Sequence, residues 1–299
     1  MTPTDAPTGF GLWLEGARPR TLPAAVVPVL IGAAAASGSA ASHWWRLAPA
    51  VIVSLALQVG VNYANDYSDG VKGTDDTRVG PLRLVGSGLV QAPAVKRAAF
   101  VAFGVAAVAG GILALVTTLW LVAVGLCAIL AAWFYTGGPR PYGYAGLGEV
   151  FVFVFFGLVA TVGTGYVVCG EMTAEMWWAG VAAGCYSCAL LVVNNLRDIP
   201  GDTESGKRTL AVRIGDARTR SFFQLLFVAA ALVIVALSLG ETGPWALLGL
   251  CGVAAALQPI SVVRGGARGR DLIAVLGGVG RAQLVFGVTF AVGLFIAYS

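Results

Sequence analysis

The chain has 299 residues, of which 58% are hydrophobic and only 11% carry a charge, and its mean hydropathy is +0.82. Soluble domains carry about 25% charged residues, so this composition excludes a soluble globular domain and predicts a polytopic membrane protein. The net charge of +4 says little by itself, and we expect no nucleic-acid partner.

Nine apolar runs follow one another along the chain, each about long enough to cross a hydrocarbon core of roughly 30 Å as a helix. We therefore predict an all-α membrane bundle of about nine transmembrane helices, with residues 1–299 forming a single domain. Residues 9–20 precede the first run and predict a short interfacial helix. The predicted spans are 21–41, 47–66, 97–116, 118–136, 147–168, 174–196, 220–240, 243–263 and 278–298.

The basic residues fall almost entirely on one side of this arrangement. If the N-terminus is inside, Arg46 is the one basic residue of 19 that lies outside. Because Lys and Arg favour the cytoplasmic side, we predict a plasma-membrane protein with a cytoplasmic N-terminus and an external C-terminus. The first residues lack the basic segment and apolar core of a cleavable signal peptide, so none is expected. The predicted inner loops are 67–96, 137–146, 197–219 and 264–277.

Two acidic clusters begin where an apolar run meets an inner loop. Asn62 and Asp66 have the same spacing as Asn194 and Asp198, and residues four apart share one face of a helix. Each cluster is therefore expected to line one side of a polar cavity. Carboxylates at a membrane edge cost free energy, so both clusters imply a cationic counter-charge. Their members are Asn62, Asp66, Asp69, Asp75 and Asp76 in the first, and Asn194, Asn195, Asp198, Asp202 and Glu204 in the second.

The donor chemistry of these clusters favours Mg²⁺, which binds carboxylate and amide oxygens and bridges to phosphates. The single histidine, His43, is placed in an outer loop, and basic residues stand beside the acids. This mixture of acids and bases is what a clamp for Mg²⁺ and diphosphate needs. The alternative is that the charges are solvated loops that only fix the topology. The basic residues are Lys72, Arg78, Arg83, Arg140, Arg197, Lys207, Arg208 and Arg213.

At these motifs the chain resembles the UbiA-type intramembrane aromatic prenyltransferases, and within them the branch that acts on 1,4-dihydroxy-2-naphthoate. The resemblance implies nine helices around a central cavity. It also implies transfer of a polyprenyl group from polyprenyl diphosphate to that acceptor, with loss of CO₂ and diphosphate, to give a demethylmenaquinone. The motifs are NYANDYSDGVKGTDDTRVGPLR (62–83), RPYGYAGLGEVFVFVFFG (140–157) and NNLRDIPGDTESGKRTLAVRIG (194–215).

The resemblance also implies roles for individual residues. Mg²⁺ would be held by Asp66, Asp69, Asp198 and Asp202, with Asp75 or Asp76 as a further ligand, and these four aspartates with Lys72 would be catalytic. The diphosphate would contact Lys72, Arg140, Lys207 and Arg208. The candidates for acceptor binding are Asn62, Asn194, Arg18, Arg20 and Tyr63, with the metal shell as the alternative position for the two asparagines. The aromatic residues proposed to shelter an allylic cation are Tyr63, Tyr67, Tyr135, Tyr142 and Phe156.

Other functions stay open at the level of the sequence. The same fold is compatible with another acceptor, such as 4-hydroxybenzoate or a haem. A membrane transporter is a different class, since polar clusters at a membrane edge also mark ion paths, and a purely structural membrane subunit is a third. Nearly all the charge lies at one face, which favours an enzyme that faces the cytoplasm. The sequence predicts neither the length of the isoprenoid nor an oligomeric state.

Overall fold

The computed structural model of the chain describes residues 9–74 and 82–298. Asp75 and Asp76, predicted as further metal ligands, lie outside the described residues. Within these two ranges the chain forms helices and connecting turns, and no β-strand. The prediction of an all-α chain is therefore confirmed.

Twelve α-helices follow one another in the described ranges, and a π-helical segment at Val154–Val159 joins α6 to α7. A 3₁₀ segment at Gly243–Gly249 leads into α11. The helices are α1 Phe10–Ala17, α2 Pro23–Ala35, α3 Leu47–Val71, α4 Ala92–Val116, α5 Trp120–Phe134, α6 Gly148–Phe153, α7 Ala160–Cys169, α8 Ala174–Glu204, α9 Leu210–Ile214, α10 Asp216–Ser238, α11 Leu250–Arg264 and α12 Asp271–Tyr298.

Seven segments of the described chain are long and apolar enough to cross a membrane. Two shorter apolar helices, α2 with 13 residues and α5 with 15 residues, occupy the first and fourth predicted spans. All nine predicted spans thus coincide with apolar helices. A helix of 13 residues rises only about 20 Å, so nine is an approximate count of full spans. The seven are Trp44–Val71, Ala92–Val116, Gly148–Cys169, Ala174–Glu204, Asp216–Ser238, Gly243–Arg264 and Asp271–Tyr298.

The helices that carry the two acidic clusters are longer than predicted. Helix α3 continues to Val71 and α8 continues to Glu204, where loops were predicted to begin at 67 and 197. The apolar pattern marks where lipid contact ends, whereas backbone hydrogen bonding continues as long as polar side chains find partners within the protein. The described acids of both clusters, Asp66 and Asp69 on α3 and Asp198, Asp202 and Glu204 on α8, therefore lie on helices.

Close contacts between small residues bring the central helices together. Helix α2 packs against α3, α7, α8 and α12. A Cβ on Gly32 of α2 would lie 2.1 Å from the carbonyl oxygen of Thr161, and a Cβ on Gly157 would lie 2.6 Å from Cα of Gly184. Neither contact has room for a side chain, and such close approach is typical of helices packed in lipid. These contacts hold α2 against α7, and α8 against the π-helical segment.

A left-handed residue turns the chain from α1 into α2. Arg18 has φ 55° and ψ 71°, a conformation that costs free energy for any residue except glycine. Its carbonyl oxygen accepts hydrogen bonds from the backbone N–H and the hydroxyl of Thr21, both at 2.9 Å. The turn places the start of α2, and Arg18 itself, beside the cavity described below.

Candidate active site

A cavity of about 1020 Å³ lies among α2, α3, α5, the α6–α7 segment and α8. The polarity of its lining changes in the same order, from apolar through amide to acidic, along the two helices that carry the acidic clusters. Along α8 the lining residues are Ser187, Leu190, Leu191, Asn194, Asn195, Asp198 and Asp202. Along α3 they include Val53, Leu57, Gln58, Asn62, Asn65 and Asp69. The cavity therefore has an acidic end (Asp69, Asp198 and Asp202), an amide belt (Asn62, Asn65, Asn194 and Asn195) and an apolar part beyond them.

Asp69 is the centre of a buried charge network at the acidic end. Its Oδ1 accepts a 2.6 Å hydrogen bond from the hydroxyl of Tyr144 and one of 3.2 Å from Nζ of Lys207. Its Oδ2 lies 3.5 Å from Nη2 of Arg83. Asp69, Arg83 and Lys207 are all buried. One carboxylate thus gathers two cations from distant parts of the chain.

Asp66 has a different environment from Asp69, although it lies one turn earlier on the same helix. It is fully buried and does not line the cavity. Its Oδ2 accepts a 2.7 Å hydrogen bond from the backbone N–H of Leu84, and its Oδ1 accepts one of 3.0 Å from that of Val85. In this structure the Asp66 carboxylate anchors the segment that follows residue 82. Its role as a metal ligand stays a prediction.

The second cluster is held by a neighbouring arginine. Nε and Nη2 of Arg197 each donate a 2.7 Å hydrogen bond to the carboxylate of Asp198, and Nη2 also donates one of 2.8 Å to Oδ1 of Asn194. Oδ2 of Asp202 accepts a 3.4 Å hydrogen bond from the hydroxyl of Thr209. A bidentate pair of this kind fixes the guanidinium plane as well as its charge.

The four predicted diphosphate contacts occupy different positions. Lys207 is buried and lines the cavity. Lys72 does not line it; its Nζ donates a 2.7 Å hydrogen bond to the carbonyl oxygen of Thr136. Burial lowers the pKa of Lys72, Asp69 opposes this shift, and the charge of Lys207 adds to it. Arg140 and Arg208 are exposed and lie outside the lining. Their roles, like that of Lys72, stay predictions.

Of the predicted acceptor-binding residues, Arg18, Arg20, Asn62 and Asn194 line the cavity. Nδ2 of Asn62 donates hydrogen bonds to the carbonyl oxygen of Ala17 at 2.8 Å and to Oγ1 of Thr21 at 3.0 Å. Tyr63 lies outside the lining, and its hydroxyl donates a 2.8 Å hydrogen bond to the carbonyl oxygen of Trp13. Asn62 and Tyr63 therefore both attach α1 to α3.

Sequence reasoning assigned no role to Tyr144, and it counted Arg83 and Arg197 among the basic residues of the clamp without giving either an individual contact. The ring centre of Tyr144 lies 4.8 Å from Nζ of Lys72 and 4.7 Å from Nζ of Lys207, distances at which a cation is attracted to an aromatic face. The motif RPYGYAGLGE contains Tyr144, and the two arginines stand beside the acids in the other motifs, so the signal was present. Of the aromatic candidates, Tyr135, Tyr142 and Phe156 line the cavity, whereas Tyr63 and Tyr67 do not.

The donor set at the acidic end fits a hard divalent cation. The side chains that face the cavity there offer carboxylate and amide oxygens, the ligands that Mg²⁺ prefers. In the part of the chain that the structure describes, no three Asp, Glu, His or Cys side chains come together as a metal-binding group. Lys207, Arg83 and Arg197 neutralise Asp69 and Asp198 instead. The fit of the acidic end to Mg²⁺ thus rests on the chemistry of its oxygen donors.

Comparison with known proteins agrees with these features. Residues 25–277 match the model of the UbiA prenyltransferase family. The chain is 50% identical over 286 residues to 1,4-dihydroxy-2-naphthoate octaprenyltransferase of Mycobacterium tuberculosis, covering 94% of this chain and 96% of that one. It is 48% identical over 294 residues to the protein of the same name from Mycobacterium leprae, covering 97% of this chain and 98% of that one.

The fold has solved relatives as well. A UbiA homologue from Archaeoglobus fulgidus, solved with DMAPP and Mg²⁺, superimposes with a TM-score of 0.66 at 14% sequence identity. The match covers 95% of this chain and 99% of that one. At such low identity the likeness concerns the arrangement of helices alone.

Proposed function

The chain belongs to the UbiA prenyltransferase family, and we propose that it transfers a polyprenyl group from polyprenyl diphosphate to 1,4-dihydroxy-2-naphthoate. Diphosphate and CO₂ are released, and the product is a demethylmenaquinone, formed as its hydroquinone. The observation that carries this proposal is one cavity that joins an acidic, cation-bearing end to an apolar part. The identity of 50% to the mycobacterial naphthoate prenyltransferase supports this acceptor over 4-hydroxybenzoate or a haem.

With its family and its seven candidate spans, the protein is a multi-pass membrane protein. We further propose the plasma membrane as its location, with the N-terminus and the acidic end of the cavity on the cytoplasmic side and the C-terminus outside. The concentration of Lys and Arg around the acidic end supports this orientation. A water-soluble acceptor and a diphosphate head would then both reach the site from the cytoplasm.

A polyprenyl diphosphate matches the polarity of the cavity along its length. Its charged head suits the acidic end, where Lys207 and Arg83 already lie beside Asp69 and are placed to contact phosphate oxygens. Its isoprenoid tail suits the apolar part, which is lined by residues such as Leu113, Leu121 and Val159. The head and the tail are thus each matched by the wall that they would contact.

We propose that Asp69, Asp198 and Asp202 hold Mg²⁺, as the donor chemistry and the Mg²⁺-bound homologue suggest. When bound, the metal supplies positive charge that stabilises the departing diphosphate. Asp66 stays a predicted ligand, and each of its oxygens, which accepts one hydrogen bond from Leu84 or Val85, has a second lone pair for a metal. Asp75 and Asp76 stay predicted ligands outside the described residues.

The chain's own residues then set up the reaction. Lys207 and Arg83 neutralise the diphosphate as the bond between its oxygen and the first prenyl carbon breaks. That carbon forms a bond to the ring carbon that bears the carboxylate, and the electron pair left by CO₂ restores the aromatic ring. Arg18 and Arg20, which line the cavity, are placed to bind the acceptor carboxylate. The apolar wall excludes water, which would otherwise capture the prenyl cation as an alcohol.

An acceptor panel tests this function. The protein in nanodiscs is supplied with Mg²⁺, a polyprenyl diphosphate and either 1,4-dihydroxy-2-naphthoate or 4-hydroxybenzoate, and products are identified by mass spectrometry. We expect a decarboxylated prenyl naphthoquinone from the first acceptor, and none when Mg²⁺ is chelated. Transfer to 4-hydroxybenzoate alone would show that the acceptor is wrong, and transfer to neither would overturn the enzymatic proposal.

A further inference from the structure

A buried carboxyl group lies beside the cavity, and no step of the proposed reaction uses it. Glu149 stands at the start of α6, is 5% exposed and does not line the cavity. Its Oε1 accepts a 2.9 Å hydrogen bond from Nδ2 of Asn195, and its Oε2 is buried and has no hydrogen-bond partner among the described residues. Because a buried carboxyl is costly within an apolar span, its presence calls for a role.

The hydrogen bond from Asn195 fixes the orientation of the asparagine amide. An ionised carboxylate can only accept hydrogen bonds, and in the structure the amide nitrogen of Asn195 faces Glu149 and donates to its Oε1. The assignment of O and N in an amide depends on its hydrogen-bond network, and an ionised Glu149 requires the orientation that the structure shows. Oδ1 of Asn195 is therefore turned away from Glu149, and no described residue donates a hydrogen bond to it.

Asn195 holds this oxygen at the position where an acceptor has to lie. Asn195 lines the cavity and precedes Asp198 by three residues, so it lies on the same face of α8, about 4.5 Å along the axis toward the apolar part. A diphosphate at the acidic end places its first prenyl carbon on that same side. The ring that attacks this carbon must therefore pass close to the amide belt.

The neighbouring amide shows the opposite arrangement. Oδ1 of Asn194 is taken by Arg197, so Asn194 leaves its amide nitrogen for a ligand, whereas Asn195 leaves its oxygen. Adjacent residues of one helix thus offer a donor and an acceptor at one level of the cavity. An aromatic acceptor that carries a carboxylate and hydroxyl groups has complementary atoms for both.

We propose that Glu149 is a positioning residue for the aromatic acceptor. It holds Asn195 so that the amide oxygen accepts a hydrogen bond from a ring hydroxyl of a hydroxynaphthoate. The proposal rests on the proposed function, since it concerns the acceptor of that reaction. It also provides a basis for selectivity, because an acceptor without that hydroxyl leaves a buried oxygen without a donor, and such a mismatch is strongly disfavoured.

Binding of paired acceptors to paired variants tests this inference. Dissociation constants are measured by fluorescence titration, with Mg²⁺ and a non-reactive prenyl diphosphate analogue present, for 1,4-dihydroxy-2-naphthoate and its two monohydroxy analogues (1-hydroxy- and 4-hydroxy-2-naphthoate). In the parent protein we expect the loss of one of the two hydroxyls to weaken binding by about 5- to 10-fold, the size of one lost hydrogen bond. In Glu149→Leu this ratio should fall below about 2-fold, whereas Glu149→Gln retains an acceptor oxygen and should keep it.

Two further measurements separate positioning from general damage. Affinity for the prenyl diphosphate analogue should stay within about 2-fold of the parent in both variants, and kcat/KM for the acceptor should fall in Glu149→Leu and recover in Glu149→Gln. If Glu149→Leu fails to bind the diphosphate analogue, Asn195→Ala replaces it, with the same loss of discrimination expected. If a variant that binds the analogue still discriminates between the acceptors as the parent does, the inference about Glu149 is wrong and the proposed function is unaffected. A parent protein that does not bind the naphthoate overturns the proposed function, and the inference with it.

Discussion

The two acidic clusters share one spacing but are held in different ways. In the first cluster, the three described side chains on α3 are bound by distant parts of the chain: Asn62 by the α1–α2 turn, Asp66 by the backbone of residues 84 and 85, and Asp69 by Tyr144 and Lys207. In the cluster on α8, Asn194 and Asp198 are bound by Arg197 of the same helix.

This difference shows that two clusters with one spacing can do different work for the fold. The cluster on α3 connects segments that are far apart in the sequence, so changing it should disturb those segments as well as the chemistry. In the cluster on α8, Asn194 and Asp198 are bound within that helix and Asp202 by the turn that follows, whereas Asn195 reaches a distant segment through Glu149. Changes there should disturb the chemistry and the local helix, and leave the distant segments in place.

The largest effect is expected from removing one carboxylate from each cluster. Asp69→Ala and Asp198→Ala should each lower kcat by about 10²–10³-fold. Each change removes a proposed Mg²⁺ ligand and leaves the neighbouring cationic side chains without their carboxylate, so the departing diphosphate is stabilised less well. Prenyl transfer at saturating Mg²⁺ measures this effect. Hydrogen exchange then separates the two variants: faster exchange in residues 82–90 and 142–145 is expected for Asp69→Ala only. Equal exchange in both variants would contradict the conclusion that Asp69 connects distant segments and Asp198 does not.

A smaller loss is expected when one of the gathered cations is removed. Lys207→Met keeps the length of the side chain and deletes the charge 3.2 Å from Asp69. We expect the KM for polyprenyl diphosphate to rise by about 10-fold or more, since a charge-assisted contact is worth about 1.5–3 kcal/mol, with little change in the KM for the acceptor. Steady-state kinetics with each substrate varied in turn measures this. A rise in the KM for the acceptor alone would show that Lys207 contacts the acceptor and not the diphosphate.

Asp66→Asn tests whether Asp66 supports the fold or holds the metal. The amide retains one acceptor but turns a donor toward a backbone N–H, so the free energy of unfolding should fall by about 1–3 kcal/mol. If Asp66 only supports the fold, the Mg²⁺ concentration at half-maximal activity stays unchanged, and if it holds the metal as the sequence predicts, that concentration rises. Denaturation in detergent and a Mg²⁺ titration measure the two quantities. Asp202→Asn is the matched change in the other cluster. There we expect an unchanged free energy of unfolding and a raised Mg²⁺ requirement. Unchanged stability with a raised Mg²⁺ requirement in Asp66→Asn would identify Asp66 as a ligand.

A modest effect is expected at Tyr144, which joins the first cluster to the segment after α5. Tyr144→Phe keeps the ring that faces Lys72 and Lys207 but deletes the 2.6 Å hydrogen bond to Asp69. The kcat/KM for prenyl diphosphate should fall by about 3- to 10-fold, the range for one buried hydrogen bond. Tyr142→Phe is the matched control, because the hydroxyl of Tyr142 donates to the carbonyl oxygen of Ala131 and not to an acid. Equal losses in both variants would point to general packing damage.

The smallest effect is expected at the two exposed arginines that were predicted to bind diphosphate. Arg140→Ala and Arg208→Ala should each change the KM for prenyl diphosphate by less than about 2-fold, because exposed charges outside the cavity are screened by solvent. Titration of the diphosphate at physiological ionic strength checks this. A tenfold rise in KM in either variant would place that residue at the diphosphate, as the sequence predicts.

Much of the architecture could be predicted from the sequence because a bilayer imposes simple rules. Apolar length predicted the membrane spans to within the two short helices, α2 and α5, and the positions of the acids followed from their place at the ends of two apolar runs. The lengths of α3 and α8 were underestimated, since hydropathy ends at Asp66 and Leu196 while the helices continue. No pattern in the apolar runs indicated the π-helical segment at Val154–Val159.

The site was harder to predict because its contacts join distant segments. Spacing predicts that Asn62, Asp66 and Asp69 share a helix face, but it carries no information that Leu84 and Val85 turn their backbone N–H groups toward Asp66. The same is true of Tyr144, which meets Asp69 across the bundle. In the sequence Glu149 was part of a motif and had no assigned role, because its hydrogen-bond partner Asn195 lies on another helix. Partner choice in such cases depends on tertiary packing, which local pattern does not encode.

The ordered lining of the cavity, from carboxylates through amides to aliphatic side chains, also bears on how the product leaves. The substrate is retained at the acidic end by a head group that carries several charges, and the reaction removes that head group. The product keeps its long tail and only two weakly polar ring oxygens, so nothing charged remains to hold it beside Asp69 and Asp198. Each buried methylene of the tail favours an apolar environment by about 0.8 kcal/mol. Catalysis therefore removes the one feature that retained the molecule, and the product drifts toward the apolar part without any separate step to expel it.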